Sequence, residues 1–264
     1  MSLQRFFLEN QVIADEQNEE FPLDLSPDDE KHLRVLRLAL GEHIAVVDAA
    51  SDYFECEIRG FDGATPIVAI AQHLDAPRKR PRVMLVQGMA KGEKMDSVIR
   101  HATELGVSTF LPLMCERSIV KLDAKKTATR MKRWDAIAKS AAMQSGQPRI
   151  PQVLEPARLD TACKELAEAT TVLVCWEEAP ETACLASALA RALDKTGCEA
   201  SEAVVAVVVG PEGGLSSREV DALLACNSRS ALVSLGSSIL RTETAGLVAP
   251  ALVLYELGGL GKRS

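Results

Sequence analysis

The sequence predicts a small β-rich unit over residues 1–76 followed by an α/β domain over residues 77–264, with the strands of the second part in a parallel sheet. Three observations lead there. Residues 53–61, YFECEIRGF, alternate Phe54, Cys56 and Ile58 with Glu55, Glu57 and Arg59, the two-residue period of a half-buried strand. Further along, VMLVQ, TFLPLM, TVLVCW, AVVAVVVG and ALVSLG lose that alternation and become continuous aliphatic runs, as strands buried on both faces must be. Between the two regimes, DAPRKRPRV (75–83) combines two prolines with four basic residues and reads as a linker.

Taken in order, DLSPDDEKHLRVLR starts a short helix. Ser26 is its N-cap, Pro27 its first position, and Asp28 and Asp29 complement the helix dipole. Gly41 is expected to end it. HIAVVD, YFECEIRGF and PIVAIAQHL then read as strands. After the linker, Met95, Val98, Ile99, Ala102 and Leu105 form an i, i+3, i+4, i+7 stripe. Over 128–145, Met131, Trp134, Ile137 and Ala141 face inward while Arg130, Lys132, Arg133 and Lys139 point elsewhere.

Composition narrows the class. Hydrophobic residues make up 47% and charged residues 25%, an ordinary globular balance, and aromatics at 4% leave the core aliphatic. No apolar run approaches the roughly 18 residues of a membrane span, and no signal peptide is visible at the start. Seven scattered cysteines, odd in number and without a C-x-x-C pair, disfavour a disulfide framework or zinc site and suggest reduced thiols in the cytoplasm. The histidines at 32, 43, 73 and 101 have no ligand-spaced partners, so no metal is expected.

The net charge of −7 hides an asymmetry. Residues 1–77 carry 5 Lys+Arg against 16 Asp+Glu (−11), residues 78–158 carry 17 against 7 (+10), and residues 159–264 carry 8 against 14 (−6). A basic middle between acidic flanks suits either a polyanion-binding surface or a set of solvated helix faces.

Two glycine-bearing bends concentrate the chemistry. VVVGPEGGLSSREV (207–220) is a strand, a glycine turn and a helix opened by Ser216 with Glu219 in capping-box spacing. It lacks the Lys-Ser/Thr of a P-loop and the G-x-G-x-x-G of a dinucleotide fold. Its glycines serve either positive φ in a plain connection or close approach of a ligand to backbone. SLGSSILRTETAG (234–246) is a second strand end with a glycine and a helix start, and two such bends can converge on one crevice.

GPEGG followed by LGSSILRTETA resembles the RsmE family of 16S rRNA uridine N3-methyltransferases, within the SPOUT superfamily. Individually weaker segments agree in order along nearly the whole chain: Arg5-Phe6-Phe7, HLRVLRLALGE (32–42), KGEKMD (91–96), ATELGV (102–107), ERS (116–118), and QSG followed by RIP (144–151). Two departures stand out. Gln147 replaces a frequent arginine, and Pro250 interrupts the last helix.

The resemblance implies a PUA-like β-barrel for RNA binding over 1–76 and a SPOUT domain with a deep trefoil knot over 77–264. It further implies a homodimer that binds S-adenosylmethionine in the knot loops and acts on 16S rRNA in the small ribosomal subunit. Cofactor contacts would come from Gly210, Pro211, Gly213, Gly214, Leu235, Gly236, Ile239, Leu240 and Thr244. Arg241 would stabilise the anion that forms as uridine N3 loses its proton, or else pair with Glu212 or Glu243. Those two carboxylates are candidate bases, a backbone group or a phosphate-relayed water being the other option, and Glu243 has helix-dipole pairing as its alternative. RNA contacts would include Arg5, Arg34, Arg37, Lys91, Lys94, Arg100, Arg117 and Lys121, with Arg130, Lys132 and Arg133 beside them. A different RNA target, or a non-catalytic ribosome-assembly factor, would use the same surface.

Overall fold

In the computed structural model, which describes residues 3–118 and 123–260, the chain forms two compact units. One comprises Met1–Arg78 with Met143–Pro148, the other Lys79–Ala142 with Arg149–Ser264. The division falls inside the proline-and-arginine linker. Lys121 lies outside the described residues.

The first unit contains β1 (Arg5–Phe7), β2 (Phe21–Pro22), α1 (Pro27–Leu36), β3 (His43–Val47), β4 (Tyr53–Asp62) and β5 (Thr65–Leu74). Its five-stranded sheet runs β1-β3-β4-β5-β2, with β1 parallel to β3 and the other pairs antiparallel. Tyr53, Phe54, Cys56 and Ile58 of β4 are buried and Glu55 and Glu57 only partly so, in keeping with the alternation. Phe6, Ile13, Phe21, Leu33 and Ile44 complete this core.

Helix α1 begins as its sequence requires, with the Ser26 hydroxyl accepting from the Asp29 N–H at 3.3 Å. It does not reach Gly41. Arg37 adopts φ 55° and closes the helix with its N–H on Arg34 O, leaving Gly41 (φ 81°) to turn the chain into β3 through a 2.8 Å bond to Ile58 O. Residues 143–148 join this unit through Arg5 Nη1 on Gly146 O at 2.6 Å and the Tyr53 hydroxyl on Pro148 O at 3.1 Å.

The second unit comprises β6 (Arg82–Gly88), α2 (Lys94–Leu105), β7 (Thr109–Met114), α3 (Ala124–Ser145, whose end passes into the first unit), β8 (Gln152–Val153), β9 (Ala157–Arg158) and α4 (Leu159–Leu166). It continues with β10 (Thr171–Cys175), α5 (Leu185–Thr196), β11 (Val204–Val209), α6 (Ser217–Ala225), β12 (Ala231–Val233) and α7 (Thr242–Glu256). All strand pairs are parallel, in the order β12-β10-β11-β6-β7-β8 with β9 also on β7.

Central strand β11 shows why its sequence is uniformly aliphatic. Val205, Val207 and Val209 enter a core layer with Leu85, Ile99, Trp134 and Val253, while Ala206 and Val208 enter the opposite layer with Val86, Leu113, Val174 and Leu223. Each fully buried valine contributes about 1.5–3 kcal/mol, so the run from Val205 to Val209 is held to aliphatic residues on both faces, with Val204 partly buried at its start.

Pro250 was expected to interrupt the last helix, yet α7 continues from Thr242 to Glu256 with Pro250 buried inside it. An interior proline costs about 3 kcal/mol, and packing of α7 against α2, α5, β6 and β11 offsets this. Among the described residues, no helix is long and apolar enough to cross a membrane.

Candidate functional site

The ends of β10, β11 and β12 open into a cavity of about 520 Å³. Its wall draws on Cys175 at the end of β10 with Trp176 and Glu177 after it, on Val209 at the end of β11 with Gly210, Pro211, Glu212 and Gly214 after it, and on 234–242 after β12, with Lys94 and Ala245 completing it. The two glycine bends therefore meet in one crevice at the carboxyl edge of a parallel sheet, where such sheets leave room for ligands.

Local chemistry explains how the first bend holds its shape. Gly214 has φ +70°, a conformation that disfavours any side chain, and a Cβ there would also push the Glu177 carboxylate aside. Gly88, at the end of β6, lies so close to Pro211 that a Cβ would overlap its nitrogen. The capping box forms as the sequence indicates: Ser216 Oγ accepts from Glu219 N at 3.3 Å, and Glu219 Oε2 accepts from Ser216 N at 2.8 Å. The other oxygen of this buried carboxylate accepts from Glu116 N at 2.8 Å. Arg117 Nη1 donates to Gly213 O at 3.2 Å and to Leu215 O at 3.3 Å. The turn after β7 thereby holds the glycine bend from outside.

The second bend is fixed through Thr242. Gln87 Nε2 donates to Thr242 Oγ1 at 2.7 Å, and that hydroxyl donates to Gly210 O at 2.6 Å. This chain joins β6, the start of α7 and the end of β11. Gly246 makes room for it, since a Cβ would collide with Gln87 Oε1.

The cavity's charges are organised by Lys94. Its ammonium lies 3.0 Å from Glu212 Oε1 and 3.1 Å from Glu243 Oε2, and the Lys91 N–H donates to the same Glu212 oxygen at 3.1 Å. The Glu243 contact is one of charge, for Oε2 has no aligned hydrogen bond. Burial pushes the Glu212 carboxyl up, but its own backbone N–H, the Lys94 ammonium and the Lys91 N–H outweigh burial and leave it below the usual range. Glu243 is also lowered, first by its own backbone N–H and then by Lys94 and Arg241, with burial opposing. Lys94 is raised by its contacts with the two carboxylates, Glu212 first and Glu243 second. Arg241 is exposed at the N-cap of α7 and, among the described residues, makes no ion pair, because both carboxylates turn to Lys94 instead.

The remaining sequence candidates fall as follows. Gly210, Pro211, Gly214, Leu235, Gly236, Ile239 and Leu240 line the cavity, although Ile239 is 85% exposed. Gly213 packs on Arg117 outside it, and Thr244 is exposed on α7 and is not part of the wall. Of the basic residues, Arg34, Arg37, Lys91 and Arg100 are exposed; Arg5 and Arg117 are occupied by backbone carbonyls and Lys94 by carboxylates. Arg133 pairs with Asp96 at 2.6 Å. Sequence reading missed Cys175, Trp176, Glu177, Ser234, Ser237, Ser238 and Thr242 as cavity residues. The available signal for the first three was position: residues following a neighbouring parallel strand share its crevice.

A family model described as an RNA methyltransferase domain matches residues 77–254. The ribosomal RNA small subunit methyltransferase E of Bacillus subtilis is 30% identical over 259 residues, covering 96% of this chain and 97% of that protein. The protein of the same name from Aquifex aeolicus is 33% identical over 218 residues, 81% of this chain and 86% of its own length. The crystal structure of ribosomal RNA small subunit methyltransferase E from Neisseria gonorrhoeae bound to S-adenosyl methionine superposes with a TM-score of 0.76 at 26% identity, covering 98% of both chains. With a matching domain and a full-length relative of this similarity, the chain belongs to the ribosomal RNA small subunit methyltransferase E family.

Proposed function

We propose that this chain uses S-adenosylmethionine to methylate N3 of a specific uridine in 16S rRNA, on the assembled small ribosomal subunit. The observation that carries the reading is the convergence of both glycine bends on one cavity. About 520 Å³ suits a small organic cofactor, whose sites run roughly 300–1,000 Å³. The chemistry of the wall fits as well. Val209, Leu235 and Leu240 offer apolar surface, and Gly210, Gly214 and Gly236 let a ligand approach the backbone without a Cβ in the way. These residues would hold the nucleoside and sulfonium parts. When bound, the cofactor supplies an electrophilic methyl group.

The chain's own part is to make N3 nucleophilic. Losing the N3 proton spreads negative charge onto O2 and O4 of the uracil. Arg241 lines the cavity and, among the described residues, makes no ion pair, so its guanidinium is available to that charge. Glu212 and Glu243 are poorly suited to remove the proton, because both are held below the usual carboxylate range and shared by Lys94. The proton therefore passes to water while Arg241 stabilises the anion.

The finer architecture follows the same reading. Residues 1–76 act as a PUA-like RNA-binding barrel and 77–264 as the catalytic domain, with the chain around β11 and α7 tied in a trefoil knot; β11 lying between β10 and β6 supports such a threading. The enzyme works as a cytoplasmic homodimer, for which the exposed Leu252 and Tyr255 of α7 offer apolar surface.

Mass mapping of 16S rRNA from a strain lacking the gene tests the activity. The N3-methyluridine should vanish, return with the wild-type gene, and return only slowly with Arg241→Ala, whose rate should drop about 10²–10³-fold. Persistence of the N3-methyluridine in the deletion strain would refute the assignment.

A further inference from the structure

Lys94 stands out because sequence reading sends it to RNA whereas the structure turns it inward. It is the first residue of α2, in the Gly92-Glu93-Lys94 segment that follows β6. Gly92 has φ +67°, a conformation that brings the Lys91 N–H and the Lys94 side chain onto the same Glu212 oxygen. Glu212 belongs to the first glycine bend, and Glu243 to the first turn of α7 directly after the second. One ammonium thus bridges a β6–α2 connection, a β11–α6 connection and a helix start, with all three side chains about one-third exposed (32%, 31% and 27%).

We infer that Lys94 is a positioning residue of the cofactor cavity, holding the two glycine bends at a fixed separation through its contacts with Glu212 and Glu243. The inference rests on the reading of the cavity as an S-adenosylmethionine site. The groups facing this cluster come from each element around it. Arg241 adds positive charge from the α7 cap, and Cys175 at the end of β10 and Glu177 just after it line the cavity. Cys175 is pushed up to about 12 by burial and stays neutral, while Glu93 is engaged by Arg133 on the far side. Without Lys94, only the backbone N–H groups and Arg241 would oppose protonation of the two carboxylates.

Calorimetry of the full chain with S-adenosylmethionine, from mildly acidic to mildly alkaline pH, tests this with Lys94→Met and Lys94→Arg. Both Glu pKa values are lowered in the folded protein, so removing the ammonium raises them and protonation begins at higher pH. Lys94→Met should bind about tenfold more weakly on the alkaline side, as two partly exposed pairs are lost, and weaker still as pH falls. Lys94→Arg should recover most of the affinity. Glu243→Gln should cost affinity in the wild type but little in the Lys94→Met background, a coupling that survives if Lys94→Met folds less well. Unchanged affinity, no rescue by Lys94→Arg, or additive effects of Lys94→Met and Glu243→Gln would overturn the inference. If the wild type itself fails to bind at millimolar cofactor, the cofactor reading falls instead.

Discussion

At the scale of single residues, Thr242 does what its neighbours in the RTETA segment cannot. Its hydroxyl both accepts from Gln87 and donates to Gly210, so one oxygen sets the distance between two strand ends and a helix start. Thr242→Val keeps the shape and removes both bonds, leaving the carboxamide and the carbonyl without their partner. The cost should be about 1–3 kcal/mol, read from urea denaturation. A double variant with Gln87→Met should recover part of it, since one stranded group disappears. A single variant as stable as wild type would mean that water replaces the hydroxyl. The glycines of the site were legible because positive φ and crowding act on the residue itself. The Gln87 contact was not: the pair is 155 positions apart, and a glutamine closing an aliphatic strand gives no sign of its direction. The same holds for Lys91 and Glu212, 121 positions apart.

Among elements, α6 shows how a local motif acquires a distant load. Ser216 and Glu219 mark its start from sequence alone, and the structure forms that box. Glu219 then spends its second oxygen on Glu116 N, so one buried carboxylate caps a helix and fastens the turn after β7. Glu219→Ala should therefore cost more than an ordinary cap, about 2 kcal/mol or above, while Ser216→Ala should cost about 1 kcal/mol. Thermal melts of the two variants decide it, and equal losses would show that the Glu116 bond contributes nothing. The five aliphatic strands of the second unit and the stripe of α2 were legible because both rest on periodicity within one window. Strands β8 and β9, two residues each, are too short to carry any period. The end of α1 was misread because Arg37 takes the left-handed turn that glycine usually supplies, and Pro250 because packing against four elements outweighs a local preference.

For the molecule as a whole, the charge division between acidic flanks and a basic middle frames RNA binding, but the structure reduces how many cations are free to act. Of the eight RNA candidates, Lys121 lies outside the described residues, Arg5 and Arg117 donate to backbone carbonyls, and Lys94 is held by two carboxylates. Arg34, Arg37, Lys91 and Arg100 remain exposed and, among the described residues, without ion pairs. Each phosphate neutralised on a single strand contributes about −0.7 to the slope of log affinity against log salt, so four contacts give about −3 and all eight would give nearly twice that. A salt titration with a 16S rRNA fragment separates the two. Replacing Arg34 and Arg37 together with alanine should flatten the slope by about 1.4. Lys94→Met should leave it unchanged even where cofactor affinity falls, because an ammonium already neutralised by Glu212 and Glu243 has no counterions to release from RNA. A slope near the eight-contact value would mean that the occupied cations leave their partners when RNA arrives, and that the ties to the glycine bend and the cavity are broken in the bound state.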